Sequence, residues 1–544
     1  MASMHANGRC GAAIASLAVA ALACGDLRDD PAAMSSDGSD ATTPGTTLTA
    51  ADSTSSGGVL DDTGGKLDVG PGADLGGGSM AVTCADARRL PTNQGCEFWA
   101  VDLPNVSATT LITPPQQQQF AVVVSNPSST IPAQIEIFVG DSDAPVAEGP
   151  LPPATIRVFQ LDAMSITPAI TSADGLAFRI ASDSPIVAYQ FQPLDNVNPV
   201  YSNDATILFP THVLGGDYTA ITGDAVLVGQ DSFSSDDANT GAFVSVVATE
   251  DDTTVTLFPT ALVHDGDLQD VVLDRGQVLT TISSQRGAPR WGNLSGTRVV
   301  ADKPVAVFSG SVATSEPADA EACCADHVEH QMLPLTAWGT AYLAAPAAAP
   351  TGGGGDATQF RITGAFDGTE LVYDPARPTG APASIDAYET VAFVTDAPFS
   401  VRASDDAKSF AVAQFLLSNQ YFGELLRPGD PSMILVPAAA QFEDRYSFLV
   451  PQGYASDYVT VVRPVGSTTS LDGIPLAPAS FAPLAALDED YELAHLLVEP
   501  GGHAIEGDAP FGITIVGYAQ DVSYGYVGGS GVGVIGTAPP PPAG

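Results

Sequence analysis

Basic residues are scarce in this sequence. Nineteen lysines and arginines face 63 aspartates and glutamates, giving a net charge of −44. A polyanionic partner would be repelled rather than neutralised, so nucleic-acid binding is excluded. Long apolar runs are also lacking, and no stretch beyond the amino-terminal leader could cross a bilayer as a helix. Catalytic signatures are missing as well. There is no G-x-S-x-G elbow, no H-E-x-x-H, no G-x-x-x-x-G-K-[ST], and no G-x-G-x-x-G set between a strand and a helix. Of only seven histidines, His5 lies in the leader and His503 beside glycines, so a triad is hard to assemble. The reading is therefore not an enzyme. A carboxylate-based glycosidase is the one chemistry that needs no local motif.

What is present begins with a targeting segment. Arg9 supplies a positive start, Gly11 to Ala21 a short apolar run, and Ala21-Leu22-Ala23-Cys24-Gly25 resembles a bacterial lipobox. On that reading residues 1–23 are a lipoprotein signal peptide and Cys24 is the lipidated first residue of the mature chain. Acyl chains would then tie the protein to a membrane. Residues 24–83, with runs such as SSDGSDATTPGTT and ADSTSSGGVLDDTGG, have too little apolar side chain to offset ordering entropy. They are expected to be a disordered acidic tether with a reach of roughly 40 to 50 Å.

Cysteines are few: six in all. With Cys10 in the leader and Cys24 lipidated, Cys84, Cys96, Cys323 and Cys324 remain, an even number that reads as disulfides in an exported chain. The expected pairs are Cys84–Cys96 and a vicinal Cys323–Cys324, with cross-links between the two regions as the alternative. The vicinal bond is strained, because neighbouring Cα atoms lie about 3.8 Å apart where disulfides prefer roughly 4.4 to 6.8 Å. Closing the short loop around Pro91 with Cys84–Cys96 is worth ~3 kcal/mol on the entropic model.

Between the tether and the tail, two marks recur four times. A proline is followed eight or nine residues later by an aromatic that opens a strand: Pro91 to Trp99, Pro210 to Tyr218, Pro334 to Tyr342, Pro437 to Tyr446. An acidic turn closes each unit: Asp183 with Pro185, Asp302 with Pro304, Asp406 with the proline lost, Asp508 with Pro510. Aspartate caps a turn and proline presets φ, so each closing mark reads as the bend of a hairpin. Segments of period-two alternation such as FVSVVATEDDTTVTLF and QFRITGAFDGTELVY lie between the marks, with almost no helical periodicity. The fold class is all-β: four tandem antiparallel β-sandwich (Ig-like) repeats of roughly 100 residues. The alternative is a propeller-like ring of four β units. The repeats are placed at 84–204, 205–328, 329–430 and 431–528, with a disordered tail at 529–544. Trp99, Tyr218, Tyr342 and Tyr446 are expected in the cores, since each unit must fill the same space.

The long segment from Ser311 to Met332 reads as a loop, and Asp326, His327, Glu329 and His330 within it are the candidate ligand-binding residues. Cys323-Cys324-x-x-His327-x-x-His330 is the one metal-like cluster, but adjacent cysteines do not suit one tetrahedral ion, so no metal site is assigned. Acidic oxygens could hold Ca²⁺, as around Asp265, Asp267 and Asp270. Without an EF-hand pattern these read as a solvated turn, as does Ser232 to Thr240, and no cofactor is expected.

At Gly95-Cys96-Glu97-Phe98-Trp99-Ala100, and again from Asp326-His327 through Gln331 to Trp338-Gly339, the chain resembles the IgGFc-binding protein N-terminal domain. That family occurs in animal mucus proteins and in many bacterial lipoproteins of myxobacterial type. The likeness runs from about Cys84 to Gly528. It implies an exported, lipid-anchored protein of the bacterial outer membrane or cell surface that binds a protein or glycan, with a structural envelope scaffold as the alternative.

Overall fold

The computed structural model describes residues 81–107, 114–162, 164, 172–194, 202–225, 241–264, 266–284, 292–318, 325–352, 354–424, 427–484 and 490–537. The leader, Cys24, the tether up to residue 80, Asp265, the Ser232 to Thr240 segment, Cys323 and Cys324 lie outside them.

Alternation and burial agree strand by strand. Ala133–Val139 alternates buried and exposed side chains at its start, as a strand with one wet face must. Phe120–Ser125, rich in valine, is buried on both faces. Such strands assemble into four sandwiches on one plan, clearest in the second. There Val271–Leu273, Thr253–Phe258, the first half of Arg298–Thr314 and the opening strand Gly215–Thr219 form one sheet. Gln277–Ile282, Ala242–Ala248, the second half of Arg298–Thr314 and the closing strand Asp326–Gln331 form the other. Strand Ser172–Leu176, from the end of the first repeat, adds to the edge at Gln277–Ile282.

The acidic marks are therefore not hairpin turns, which corrects the sequence reading. Phe178–Gln192, Arg298–Thr314 and Gly501–Ala519 are single long strands that bend at Asp-x-Pro and pass from one sheet to the other. The bend is stable because the aspartate takes up a donor that the neighbouring strand would otherwise leave unpaired. Gln134 N–H donates to Asp183 at 2.7 Å, Thr254 N–H to Asp302 at 2.8 Å, and Thr468 N–H to Asp508 at 2.8 Å. In the third unit, where the proline is lost, the same path is split into Phe399–Ala403 and Phe410–Phe415.

The opening and closing marks meet. The Tyr218 hydroxyl accepts from Gly215 N–H at 2.9 Å and donates to the carbonyl of Val305, the residue after the bend proline, at 2.7 Å. Tyr342 does the same with Gly339 N–H and the Phe410 carbonyl, at 3.1 and 2.6 Å. Tyr446 accepts from Glu443 N–H at 2.8 Å and donates to the Phe511 carbonyl. In the first unit Trp99 fills the place, fully buried, beneath the Arg275 guanidinium 5.6 Å from its ring.

The described residues fall in one compact unit, and the sandwiches close into a ring within it. The closing strands Asp204–Leu208, Asp326–Gln331, Met433–Leu435 and Val522–Val527 each lie against the next, and the last against the first. The ring kept above as the alternative is thus how the sandwiches are arranged. The opening segments also touch in succession. A Cβ on Gly95 would sit 2.2 Å from that of Pro210, one on Gly215 3.1 Å from that of Pro334, and one on Gly339 2.3 Å from that of Ala438. Glycine at these places lets the next unit's opening turn pack against backbone.

Tyr218→Phe keeps the ring but leaves the buried Val305 carbonyl and Gly215 N–H without their partner. The expected loss is about 1–3 kcal/mol, read as a lowered denaturant midpoint at unchanged slope.

Candidate functional site

Asp326, His327, Glu329 and His330 are brought together, but on a strand and not on a loop. Asp326–Gln331 is the closing strand of the second sandwich, and every side chain in it is fully buried. The alternation of polar residues reads as a loop in the sequence because the partners that make their burial tolerable are far away in the chain. A ligand in solvent cannot touch these side chains.

The centre of the arrangement is Asp204, which the sequence reading did not single out. It is fully buried at the start of the first unit's closing strand. One carboxylate oxygen accepts from Ser432 Oγ at 2.8 Å and Gly525 N–H at 3.2 Å. The other accepts from Glu329 N–H at 3.1 Å and Met433 N–H at 3.0 Å. One side chain thus satisfies donors from the closing strands of the second and fourth units and from the start of the third unit's. The available signal was positional, since both Asp204 and Asp326 precede an opening proline by less than ten residues.

Around this hub lies a layer of neutral polar groups. Asn203 N–H donates to Asp326 at 2.8 Å, and Gln190 Nε2 donates to Glu329 at 3.0 Å. His327 Nε2 lies 3.2 Å from Glu329, and the imidazole stacks on Phe243. Although the spacing is that of an ion pair, burial lowers the imidazole pKa to about 3 and pushes the Glu329 carboxyl well above its ordinary range. The proton therefore sits on the acid, and the contact is a hydrogen bond between uncharged groups. Burial likewise lowers His330 to about 4 and raises Asp326 and Asp204, with the hydrogen bonds from Met433, Ser432, Glu329 and Ala205 pulling against the rise at Asp204.

A second buried cluster joins the second and third units. The Arg361 guanidinium, almost wholly buried, lies 2.8 and 2.9 Å from the two Glu316 oxygens and 3.0 Å from Asp224. Its face rests on Phe415, 4.5 Å from the ring centre. Gln359 and Thr314 fill the remaining lone pairs of Glu316. Burial pushes the Glu316 carboxyl up while the Arg361 charge pulls it down, and the guanidinium is shared between two acids.

Cys84 and Cys96 form a disulfide with Cα atoms 5.7 Å apart. Among the described residues, no group of three or more His, Cys, Asp or Glu could hold a metal ion, and no helix is long and apolar enough to cross a membrane. A cleft beside Asp356, Phe422, Arg427 and Tyr518 has a cavity volume of about 10 Å³, and one beside Leu343, Gln414, Phe442 and Thr460 about 20 Å³. Each has room for little more than a water molecule.

Residues 204–517 match the model of a family described as IgGFc binding protein. The span is more than half of the 544 residues and begins at Asp204 itself. It is narrower than the Cys84 to Gly528 stretch over which the sequence resembles that family, and it omits the first unit up to its closing strand. Searches of curated proteins and of solved structures find no match.

Two outcomes test this core. Asp204→Asn presents an amide to donors that need an acceptor, leaving two of them unpaired at roughly 1–3 kcal/mol each, so the denaturant midpoint should fall well below that of the parent chain. The second concerns pH. Asp102 is raised to about 7 and Glu443 to about 8, chiefly by burial. Their unfolded values are near 4, so the stability they contribute is complete below about pH 4 and is lost as pH rises through 7 to 8. The lowered histidines act oppositely, their contribution being lost as pH falls from about 6.5 towards 4 and 3. The melting temperature should peak between these limits, and Asp102→Asn should flatten the alkaline limb in a melting series from pH 5 to 9.

Proposed function

The chain belongs to the IgGFc binding protein family, and from that premise we propose that it is a cell-surface binding or adhesion protein whose partner is a protein or a glycan. The family match carries the reading. The geometry supports it: the buried polar residues described above hold the sandwiches together, and the two clefts described above are water-sized. That leaves the outer loops and flat sheet faces for recognition. Lipidation of Cys24, with residues 24–83 as tether, would hold the body clear of a bacterial outer membrane.

A structural envelope scaffold is the second reading. It draws on exposed apolar side chains of the fourth unit, Ile474 at 70% and Leu497 at 62% exposure, which a second copy could cover.

The test uses the chain from residue 25 to its end, presented to glycan arrays and to a protein panel that includes the IgG Fc region. Saturable binding at micromolar concentration or tighter supports the binding reading. No hit, together with self-association at micromolar concentration, replaces it with the scaffold. For the anchor, Cys24→Ser should move the protein from the membrane to the soluble fraction of the producing cell; continued membrane retention would end that part of the proposal.

A further inference from the structure

The ring has four joints, and the chain makes three of them the same way. At each, the glycine of one opening segment packs on the opening turn of the next unit: Gly95 on Pro210, Gly215 on Pro334, Gly339 on Ala438. The fourth joint must bring the last unit back to the first, but the fourth opening segment has the bulky, half-buried Glu443 ahead of Tyr446. The glycine there comes from beyond the last strand. A Cβ on Gly533 would sit 2.5 Å from that of Pro91, the same close approach as at the other joints.

Gly533 belongs to a segment that the sequence reading assigned to a disordered tail. Its first nine residues are instead laid across three units. Gly531 N–H donates to the Gln441 carbonyl of the fourth unit at 2.7 Å, and Val532 N–H to the Pro91 carbonyl of the first at 2.9 Å. Ile535 and Gly536 N–H both donate to the Thr336 carbonyl of the third, at 3.0 and 2.9 Å. Val532 is buried. Pro91, the residue this strap grips, lies inside the loop that Cys84–Cys96 closes. The loop also carries one short helix, Cys84–Ala87, capped by Thr83, and His212 hydrogen-bonds the backbone of Ala87 and Leu90.

We propose that residues 529–537 are the clasp that closes the ring between the last and first sandwiches, and that the Cys84–Cys96 disulfide is its seat. The clasp is consequently redox-sensitive. A dithiol reductant delivers two electrons and two protons, the S–S bond breaks to give the Cys84 and Cys96 thiols, and the reductant leaves as a disulfide. Both cysteines are partly exposed and open to such a reagent. Freed of its cross-link, the Pro91 loop no longer presents a fixed carbonyl and ring face, and the strap loses its hold on the first unit.

The experiment is peptide-level hydrogen exchange on the full folded chain, oxidised and after treatment with a dithiol, alongside Gly533→Val. Val at 533 adds a side chain where Pro91 already stands, without touching the cysteines. Reduction should speed exchange of amides 531–536 at least tenfold and leave Thr358–Gly364, inside the third sandwich, unchanged. Gly533→Val should speed exchange in residues 88–94. The denaturant-midpoint shifts of Gly533→Val and of reduction should be less than additive, because both break one contact. Strap protection unaltered by reduction, or fully additive shifts, would overturn the proposal. Measuring the reduced parent chain avoids reliance on a Cys84→Ser, Cys96→Ser chain reaching the folded state.

Discussion

The structure depends on a constraint of solvation: a peptide N–H withdrawn from water must find an acceptor. Where four sandwiches meet edge on, their closing strands carry donors that no strand of their own unit can satisfy. Asp204 meets that demand with both carboxylate oxygens, each taking two donors. The alternative, four unpaired donors in a buried centre, would cost about 4–12 kcal/mol, comparable to a domain's usual margin of stability. The neutral His327–Glu329 contact and the Arg361–Glu316–Asp224 set extend the same principle outwards, one without charge and one with a guanidinium shared between two carboxyl groups.

Much of the architecture was legible because it is written locally. Period-two alternation marked the strands, and the recurring Trp99, Tyr218, Tyr342 and Tyr446 marked one cavity filled four times; all four are buried. Cys84–Cys96 was the expected pair, with cross-links to Cys323 and Cys324 as the alternative, and it is the disulfide that forms. Local signals also misled. Asp302-Lys303-Pro304 has the composition of a turn, yet its strand continues, because Thr254 N–H on the neighbouring strand is held by the aspartate. A turn and a sheet-switching bend ask for the same residues; only the neighbour distinguishes them.

The interior site was illegible for a different reason. DHVEHQ has the polarity of a loop, and its burial rests on partners such as Asp204 and Gln190, the latter 139 residues from Glu329. Nothing within a window around Asp326 announces them. The glycine-rich carboxy-terminal segment was misread similarly. Glycine abundance is the signature of slack chain, but at Gly533 it reflects a lack of room beside Pro91.

The reach of Asp204 also sets a schedule. Gly525, one of its four donors, lies 321 residues further along. A chain made amino end first must therefore keep that acid waiting until those 321 further residues have been synthesised. Closing so long a span carries a large entropic toll ahead of its reward, which places this protein among the slow, intermediate-prone folders. During that interval the first sandwich stands with an uncovered carboxylate and an apolar flank of Tyr189 and Phe191, the aromatics that finally meet Tyr526. Val522–Val527, last of the described strands, is thus the one on which the maturity of the first sandwich depends.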